Sequence, residues 1–489
     1  MCLTDMASRL RVDTALYGTA VLTDRLMGFL LLPLLTGGMS PSDYGAWTQT
    51  AVAAGLLVPL VLFASPTVAV RYFSGQALAA ARWRFFLQLG AFALLLLAVC
   101  VVTGFAWPAI WSSIVFGGLE HQSLVPVLLT LLAAEAAIEF SIGWLRTIGR
   151  IGVVAAALVL RSVTRYLVVF LLVDGARGAL INWLGSYAIV QIVLASAVLA
   201  ATAWILRCSP GIAPKVARSP KLGELLTFAG PLTVLALFTS LNSLLDRFVL
   251  VRWLGLDGVA IYAAAVSLCT IPAAFYSVLG FTLFPELSRQ WHGRRLEDVS
   301  KLVTLALRVF LFFCLPTVAM LFVGGSWALQ FLTNEAYQAP LEVFLFLGLA
   351  VSAFGIYQIL LYVLLLDGRS LQILLLAILA TVINLALNYL LASRWGMSGA
   401  AVAAATSNIV MVVVAIHITR KILPWSFPWP DILGIGARAA LAAMPFAVFA
   451  FYAVLSDFFG MIAIMLGAVC YLIFDWVHPA SIVRSMLRR

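Results

Sequence analysis

Charged residues inside long apolar stretches are the groups of this sequence that could carry chemistry. Asp24 and Arg25 adjoin one another deep in the first apolar run, and Asp246 and Arg247 do so within residues 241–262. Charge at membrane depth is costly, so such a pair marks a functional site by default. Adjacent helical residues point about 100° apart and cannot face each other. Each aspartate is therefore expected either to bind the arginine of the other pair, across two halves of the protein, or to make local contacts between neighbouring helices.

Arginine is the deep charge best suited to binding phosphate, because its planar guanidinium stays charged and can bind two oxygens at once. Six arginines lie inside apolar runs: Arg25, Arg161, Arg165, Arg247, Arg308 and Arg438. The last two lie near span ends and are expected to snorkel towards water. The other four are candidate phosphate ligands. The deep acids that could neutralise them are Asp24, Glu135, Glu139 and Asp246, of which Asp24, Asp246 and Glu139 are candidate coupling or cavity acids.

The spacing of Glu135 and Arg161 predicts a structural ion pair. If the fourth and fifth predicted helices form an antiparallel hairpin that turns near Ile148, both residues lie 13 positions from that turn and therefore at equal depth. Glu139 and Arg165 differ by 8 positions, or roughly 12 Å at the helical rise, which is too far for a direct bond. The depth argument therefore leaves Arg165 to a distant acid such as Asp246 or to a phosphate group of the substrate.

The chain repeats several of its features in the same order. Each Asp-Arg pair is followed by a turn and a tyrosine, and Gly149-Arg150 and Gly368-Arg369 each open a hairpin that turns again near residues 178–179 and 399–400. Internal repeats of this kind are typical of transporter folds, in which the substrate binds between the repeats near mid-membrane.

Composition indicates a polytopic helical membrane protein. The 489 residues are 64% hydrophobic and 10% charged, whereas soluble domains carry roughly 25% charged residues. Apolar runs of about 20 residues predict about fourteen transmembrane helices, arranged as two six-helix repeated bundles and a C-terminal helix pair. Among these, unbroken spans are expected at 46–70 and 258–283. The first run is expected to stay in the membrane as a signal anchor.

The basic residues predict the orientation and the domains. With the N-terminus inside, 21 lysines and arginines fall in inner loops and three in outer loops, so both termini are expected in the cytoplasm. The net charge of +10 is then an orientation signal, not a sign of nucleic-acid binding. The predicted domains are residues 1–206, an N-terminal six-helix bundle; 207–222, a basic cytoplasmic linker; 223–420, a C-terminal six-helix bundle; and 421–489, the terminal helix pair and basic tail.

Several classes of function lack their usual motifs. The six cysteines form no CxxC pair and the four histidines show no ligand spacing, so neither a metal site nor a disulfide framework is indicated. No lysine follows a glycine to make a phosphate-binding nucleotide loop. The loops are too short for a soluble catalytic domain. The sequence therefore predicts a non-enzyme without cofactors.

Four stretches together resemble the polysaccharide-transporter branch of the multidrug/oligosaccharidyl-lipid/polysaccharide exporter superfamily. They are LLPLLTGGMSPSDYGAW (31–47), SLLDRFVLVRWLGLDGVAIYAAAVSL (243–268), FTLFPELSRQW (281–291) and NLALNYLLASRWGMSGAAVAAATSNIV (384–410). The resemblance implies flipping of undecaprenyl-(pyro)phosphate-linked oligosaccharides to the outer leaflet of the bacterial cytoplasmic membrane, by ion-coupled alternating access. It also implies glycan polymerase and glycosyltransferase partners, and a product such as capsule or O-antigen.

Three other functions compete with this flippase. A peptidoglycan-precursor flippase would use the same lipid phosphate chemistry. A drug/cation antiporter of the sister branch should have an acid-rich cavity, whereas deep arginines here equal deep acids in number. A non-transport scaffold for a glycan-synthesis complex would have no use for charged spans. In the favoured function, Arg165, Arg25 and Arg247 form a cationic cavity for the substrate.

Overall fold

The computed structural model describes residues 3–73, 79–175, 180–208, 222–451, 466–467 and 469–472, and its regular elements there are helical. A single 3-10 turn covers Gln122–Leu124. The α-helices are α1 Leu3–Gly38, α2 Pro41–Leu62, α3 Ser65–Phe73, α4 Ala79–Ala106, α5 Pro108–Phe116, α6 Val125–Thr147, α7 Ile151–Gly175, α8 Leu180–Cys208, α9 Leu222–Cys269, α10 Ile271–His292, α11 Leu296–Leu332, α12 Leu341–Leu366, α13 Ser370–Ile422 and α14 Trp429–Phe451.

Ten helices of the described chain are long and apolar enough to cross a membrane. Two of them, α9 and α13, each join two predicted spans through a glycine that leaves the helical conformation, Gly255 (φ 66°) and Gly396 (φ 56°). Glycine adopts positive φ without the steric penalty that other residues incur. The chain is therefore an all-α, multi-pass membrane protein, as the sequence predicts.

Two of the predicted spans are interrupted. The span expected at 46–70 is broken after α2, where Phe63 (φ 46°) and Ala64 (φ 52°) are left-handed before α3 begins. The span expected at 258–283 is broken at Thr270, and Pro272 occupies the first turn of α10. Proline fits a helix start because the N–H groups of the first turn have no carbonyl partner within the helix, so the N–H that proline lacks is not needed there. Hydropathy alone missed both breaks because the residues around them are apolar.

Two helical hairpins use the same turn. Gly149 (φ 70°) ends α6 and Gly368 (φ 73°) ends α12. The following arginine donates its backbone N–H five residues back in both cases, from Arg150 to the Leu145 carbonyl (2.9 Å) and from Arg369 to the Leu364 carbonyl (3.0 Å). This is the left-handed glycine ending that commonly closes a helix. The Gly-Arg pairs of the sequence repeat therefore make equivalent turns.

The chain divides into two compact units. The first unit contains residues 1–244 and 255–257, and the second contains 245–254 and 258–489. The division falls inside α9. Most of the predicted linker 207–222, the second turn near 178–179 and the basic tail lie outside the described residues, so the predicted domain boundaries stay a prediction.

Four helices of the first unit pack around one apolar cluster. Its buried members are Ala20 of α1, Ala134, Ile138, Ile142 and Leu145 of α6, Val154, Ala155 and Leu158 of α7, and Ala195 of α8. Alanines on all four helices let the backbones approach closely, as small residues do in membrane interfaces. Polar residues one turn away on the same faces are consequently brought together.

Candidate functional site

A charged cluster lies among three of these helices: Asp24 of α1, Glu135 and Glu139 of α6, and Arg161 and Arg165 of α7. Arg161 is its centre. Its Nη1 atom lies 3.1 Å from Glu135 Oε2 and 3.5 Å from Glu139 Oε1, and its Nη2 atom lies 3.6 Å from Asp24 Oδ1. Glu135 and Arg161, which the equal-depth argument pairs, thus contact each other directly.

Arg165 shares an acid with Arg161. Its Nη2 atom lies 3.5 Å from Glu135 Oε1, so each oxygen of that carboxylate faces a different arginine. This corrects the depth argument, which left Arg165 without an acid on α6. Backbone depth alone does not decide this contact, because a long arginine side chain reaches across one helical turn and a carboxylate has two acceptor oxygens.

Two further side chains complete the charged cluster. The Ser162 hydroxyl contacts both Asp24 Oδ1 and, at 2.9 Å, the Leu158 carbonyl. The Tyr187 hydroxyl of α8 interacts with the Arg165 guanidinium. The Tyr187 ring lies 4.8 Å from that of Trp47 on α2, and both rings are buried. The sequence reading missed Ser162 and Tyr187 because they are uncharged.

Charge and exposure separate the roles of the arginines. The charged cluster has three carboxylates and two guanidiniums, a formal net charge of −1 when all are ionised. The Arg161 side chain is 12% exposed and contacts all three acids, whereas that of Arg165 is 28% exposed and contacts one. Arg25 is exposed on α1, and the described residues offer it no ion pair. Arg165 and Arg25 therefore keep donors for another anion.

The second unit holds a different arrangement, here called the Asp246 cluster: Asp246 and Tyr262 of α9 with Asn384 and Asn388 of α13. Tyr262 donates its hydroxyl to Asp246 Oδ2 at 2.8 Å, and Asn388 donates Nδ2 to Asp246 Oδ1 at 2.9 Å. The Asn388 amide also contacts Asn384 Oδ1. Asp246 is 7% exposed and Asn388 is fully buried. This buried carboxylate is held by neutral donors, which satisfy its oxygens.

The hydrogen bonds described for the two aspartates lie within their own units, and a bond between the halves stays a prediction. Asp24 contacts residues of α7, and Asp246 contacts its own helix and α13. Arg247 lies in the second unit, and its role as a phosphate ligand stays a prediction. Asn384 and Asn388 were missed by sequence reasoning, although two amides one turn apart in an apolar helix are a recognisable signal.

Sequence reasoning also missed two buried glutamines of the first unit. Gln49 of α2 and Gln191 of α8 are 0% and 1% exposed. In both side chains, the amide nitrogen and the amide oxygen lack a hydrogen-bond partner among the described residues. Gln191 lies one turn beyond Tyr187 on α8. Buried amides without partners are expensive, so they rarely persist without a reason.

Arg308 corrects another expectation from the sequence. It lies on α11, and its Nη2 atom is 2.7 Å from Asp431 Oδ2 at the start of α14. A second bond joins Arg308 Nε to the same oxygen at 2.9 Å. The side chain therefore anchors a helix of the C-terminal region instead of simply snorkelling to the membrane surface.

The fold and these polar clusters define a polytopic helical membrane protein with charged groups between its helices. A family model described as polysaccharide biosynthesis protein matches residues 10–291, more than half of the chain. The chain therefore belongs to the polysaccharide biosynthesis protein family. A search among curated proteins finds no matching sequence.

Solved structures of transporters share the fold. The chain is similar to a lipid II flippase, MurJ, in an inward closed conformation, with a TM-score of 0.75 and 17% identity over 97% of this chain and 100% of that one. It is also similar to an inward-facing multidrug resistance MATE family transporter, with a TM-score of 0.63 and 14% identity over 81% and 94% of the two chains. The MATE multidrug transporter DinF-BH gives a TM-score of 0.61 and 13% identity over 85% and 95%.

Proposed function

We propose that this protein is a flippase for undecaprenyl-(pyro)phosphate-linked oligosaccharides in the bacterial cytoplasmic membrane. It moves them from the inner to the outer leaflet for surface polysaccharide synthesis, by ion-coupled alternating access, with both termini in the cytoplasm. The observation that carries the proposal is the family match over residues 10–291. The transporter fold and the short loops favour a role without an enzymatic reaction or a cofactor.

The charged cluster supplies groups suited to such a substrate. A lipid-linked glycan presents phosphate, which arginine binds well because its charge is permanent and its donors are planar. Arg165 and Arg25 are the ligands best placed in the first unit, since both keep donors beyond their described ion pairs. Arg247 of the second unit is a further proposed ligand. Arg161 has a structural role, because three carboxylates already surround it.

The acids provide for ion coupling. Asp24 and Glu139 share Arg161, so uptake of one cation or proton by the charged cluster would bring its formal charge from −1 to zero. The acids would then hold the arginines less strongly, and Arg165 would bind a phosphate more readily. Asp246 is the proposed coupling acid of the second unit, where the hydroxyl and amide that bind it are neutral.

Two alternatives share parts of this chemistry. A peptidoglycan precursor carries the same lipid phosphate, so Arg165 would serve it equally well; the family match favours surface polysaccharide instead. A drug/cation antiporter would need acids but gains nothing from Arg161 and Arg165 beside them. Glycan polymerases and glycosyltransferases are the proposed partners, because they would make and consume the flipped intermediate.

The test is complementation in two hosts. The gene is expressed in one strain that lacks its O-antigen or capsule flippase and in another depleted of its peptidoglycan-precursor flippase. The proposal expects surface polysaccharide to return in the first strain, measured by electrophoresis of surface glycans, and no growth rescue in the second. Growth rescue with no surface polysaccharide would instead assign the peptidoglycan precursor. Drug resistance without either effect would favour the antiporter.

A further inference from the structure

An apolar cavity of 730 Å³ lies within the first unit, between α2, α4, α6 and α8. Its walls carry aliphatic and aromatic side chains such as Val61, Leu94, Phe140 and Leu199. The hydroxyl of Ser196, a polar residue of the lining, is already bonded to the Ile192 carbonyl at 2.7 Å. The cavity therefore offers hydrocarbon contacts and almost no hydrogen bonds, which suits an apolar chain and not a sugar.

Small residues give the cavity its width, and exposed leucines mark its opening. Gly90 of α4, Ala137 of α6 and Ala200 of α8 leave space where larger side chains would meet. Leu87 and Leu94 line the cavity and are 50% and 66% exposed, so the cavity is open along α4. In a membrane-spanning helix, that exposed surface faces lipid.

One end of the cavity is cationic. Trp83 lines the cavity near the start of α4, and the Arg207 guanidinium carbon lies 5.3 Å from its ring centroid. A cation held over a tryptophan face at this distance is attracted by the ring. Arg84, the residue after Trp83, is exposed, and Arg207 at the end of α8 is exposed too. This end therefore combines an aromatic wall with positive charges that complement an anionic lipid headgroup.

We propose that the first unit binds one anionic phospholipid, with an acyl chain in the cavity and its phosphate beside Arg207 and Arg84. The phosphate ligands proposed for the substrate in this unit, Arg165 and Arg25, do not line the cavity, which favours a separate lipid over the substrate's own tail. A methylene is about as large as a water molecule, which occupies about 30 Å³ in the liquid. A cavity of 730 Å³ therefore holds on the order of 25 methylenes. That is enough for one fatty acyl chain. The site is separate from the phosphate ligands of the proposed function and does not depend on them.

Native mass spectrometry of the purified full-length protein tests the proposal, with phosphatidylglycerol and phosphatidylcholine of identical chains as probes. Wild type should retain one phosphatidylglycerol in preference to phosphatidylcholine. Ala200→Phe fills the cavity and should weaken retention roughly tenfold. Ala201→Phe is the matched control, because it adds the same bulk at an exposed neighbour that does not line the cavity. Arg207→Gln should cut the preference for phosphatidylglycerol about fivefold, the effect of one surface cation.

A second filling variant guards against misfolding of the first. Gly90→Leu is expected to fold, since a Cβ atom there would lie 3.6 Å from Phe140 Cζ, an ordinary contact. Equal retention by wild type, Ala200→Phe and Gly90→Leu would overturn the site. Equal retention of both lipids by wild type would overturn the anionic headgroup, and displacement by undecaprenyl phosphate at equal concentration would assign the cavity to the substrate tail instead.

Discussion

The charged cluster and the Asp246 cluster begin from the same dipeptide and end in different chemistry. Asp24 faces a guanidinium that two glutamates share, whereas Asp246 faces a hydroxyl and an amide. The hairpin glycines keep the same backbone turn, and Arg165 and Asn384 each lie sixteen residues after their glycine. The two units have therefore preserved the turn that positions the second helix while changing the side chain that this helix presents.

The difference sets what each cluster tolerates. In the charged cluster, Arg161 is the cation that three acids contact, so removing it leaves unpaired carboxylates at membrane depth. In the Asp246 cluster, an amide in place of the carboxylate would keep one oxygen that accepts from Asn388, and its NH2 group could donate to the Tyr262 hydroxyl. We therefore expect Arg161 and its acids to control folding, and Arg165 and Asp246 to control transport more selectively.

The largest effect is expected at the centre of the charged cluster. Arg161→Gln leaves Asp24, Glu135 and Glu139 without their shared cation and should destabilise the protein by about 3–5 kcal/mol. The level of protein in membranes and its unfolding temperature in detergent measure this effect. Glu135→Gln alone should also be harmful, because it removes the acid that both arginines contact.

The double variant Glu135→Gln with Arg161→Gln distinguishes a structural pair from a functional one. It should accumulate better than either single variant, since it removes one charge of each sign. Recovery should be partial because Asp24 and Glu139 remain. Normal accumulation of both single variants, with transport lost, would show instead that the pair acts in transport and not in folding.

The next effect concerns Arg165, which keeps the exposure and free donors of a substrate ligand. Arg165→Ala should abolish complementation in the surface-polysaccharide assay while the protein stays in the membrane. Arg165→Lys keeps the charge but loses the planar pair of donors, so it should retain partial activity. Normal surface polysaccharide from the Ala variant at native expression would remove Arg165 from the phosphate site.

Asp246→Asn compared with Asp24→Asn contrasts the two clusters directly. Asp246→Asn should accumulate almost normally and fail in complementation, because the hydrogen bonds survive and the charge does not. Asp24→Asn removes one of three acids around Arg161 and should lower both accumulation and transport moderately. The comparison between the units would break down if Asp246→Asn were the less stable protein of the two.

Contacts between consecutive helices could be predicted from the sequence, whereas contacts between helices far apart in the chain could not. Glu135 and Arg161 lie on consecutive helices joined by one glycine turn, so counting from Ile148 gives their relative depth. Asn388 is 142 residues from Asp246, and no count along the chain relates two such distant helices. Helix type and membrane insertion follow from composition, but side-chain reach and breaks in apolar helices depend on packing, as the shared Glu135 and the turn at Phe63 show.

The smallest effect should come from two buried tyrosines, each beside a charge. Tyr262→Phe removes one of the two hydrogen bonds described for Asp246 and should cost about 1.5–3 kcal/mol, the usual value for a bond to a charged group. Tyr187→Phe should cost less, because Arg165 keeps its ion pair with Glu135. Both replacements remove only a hydroxyl, so they are matched in size and burial. Unfolding temperatures in detergent should fall further for Tyr262→Phe. This order is expected because the Asp246 cluster depends on few neutral donors, whereas the charged cluster has several overlapping ion pairs. A larger shift for Tyr187→Phe would contradict it and make Tyr187 a principal support of Arg165.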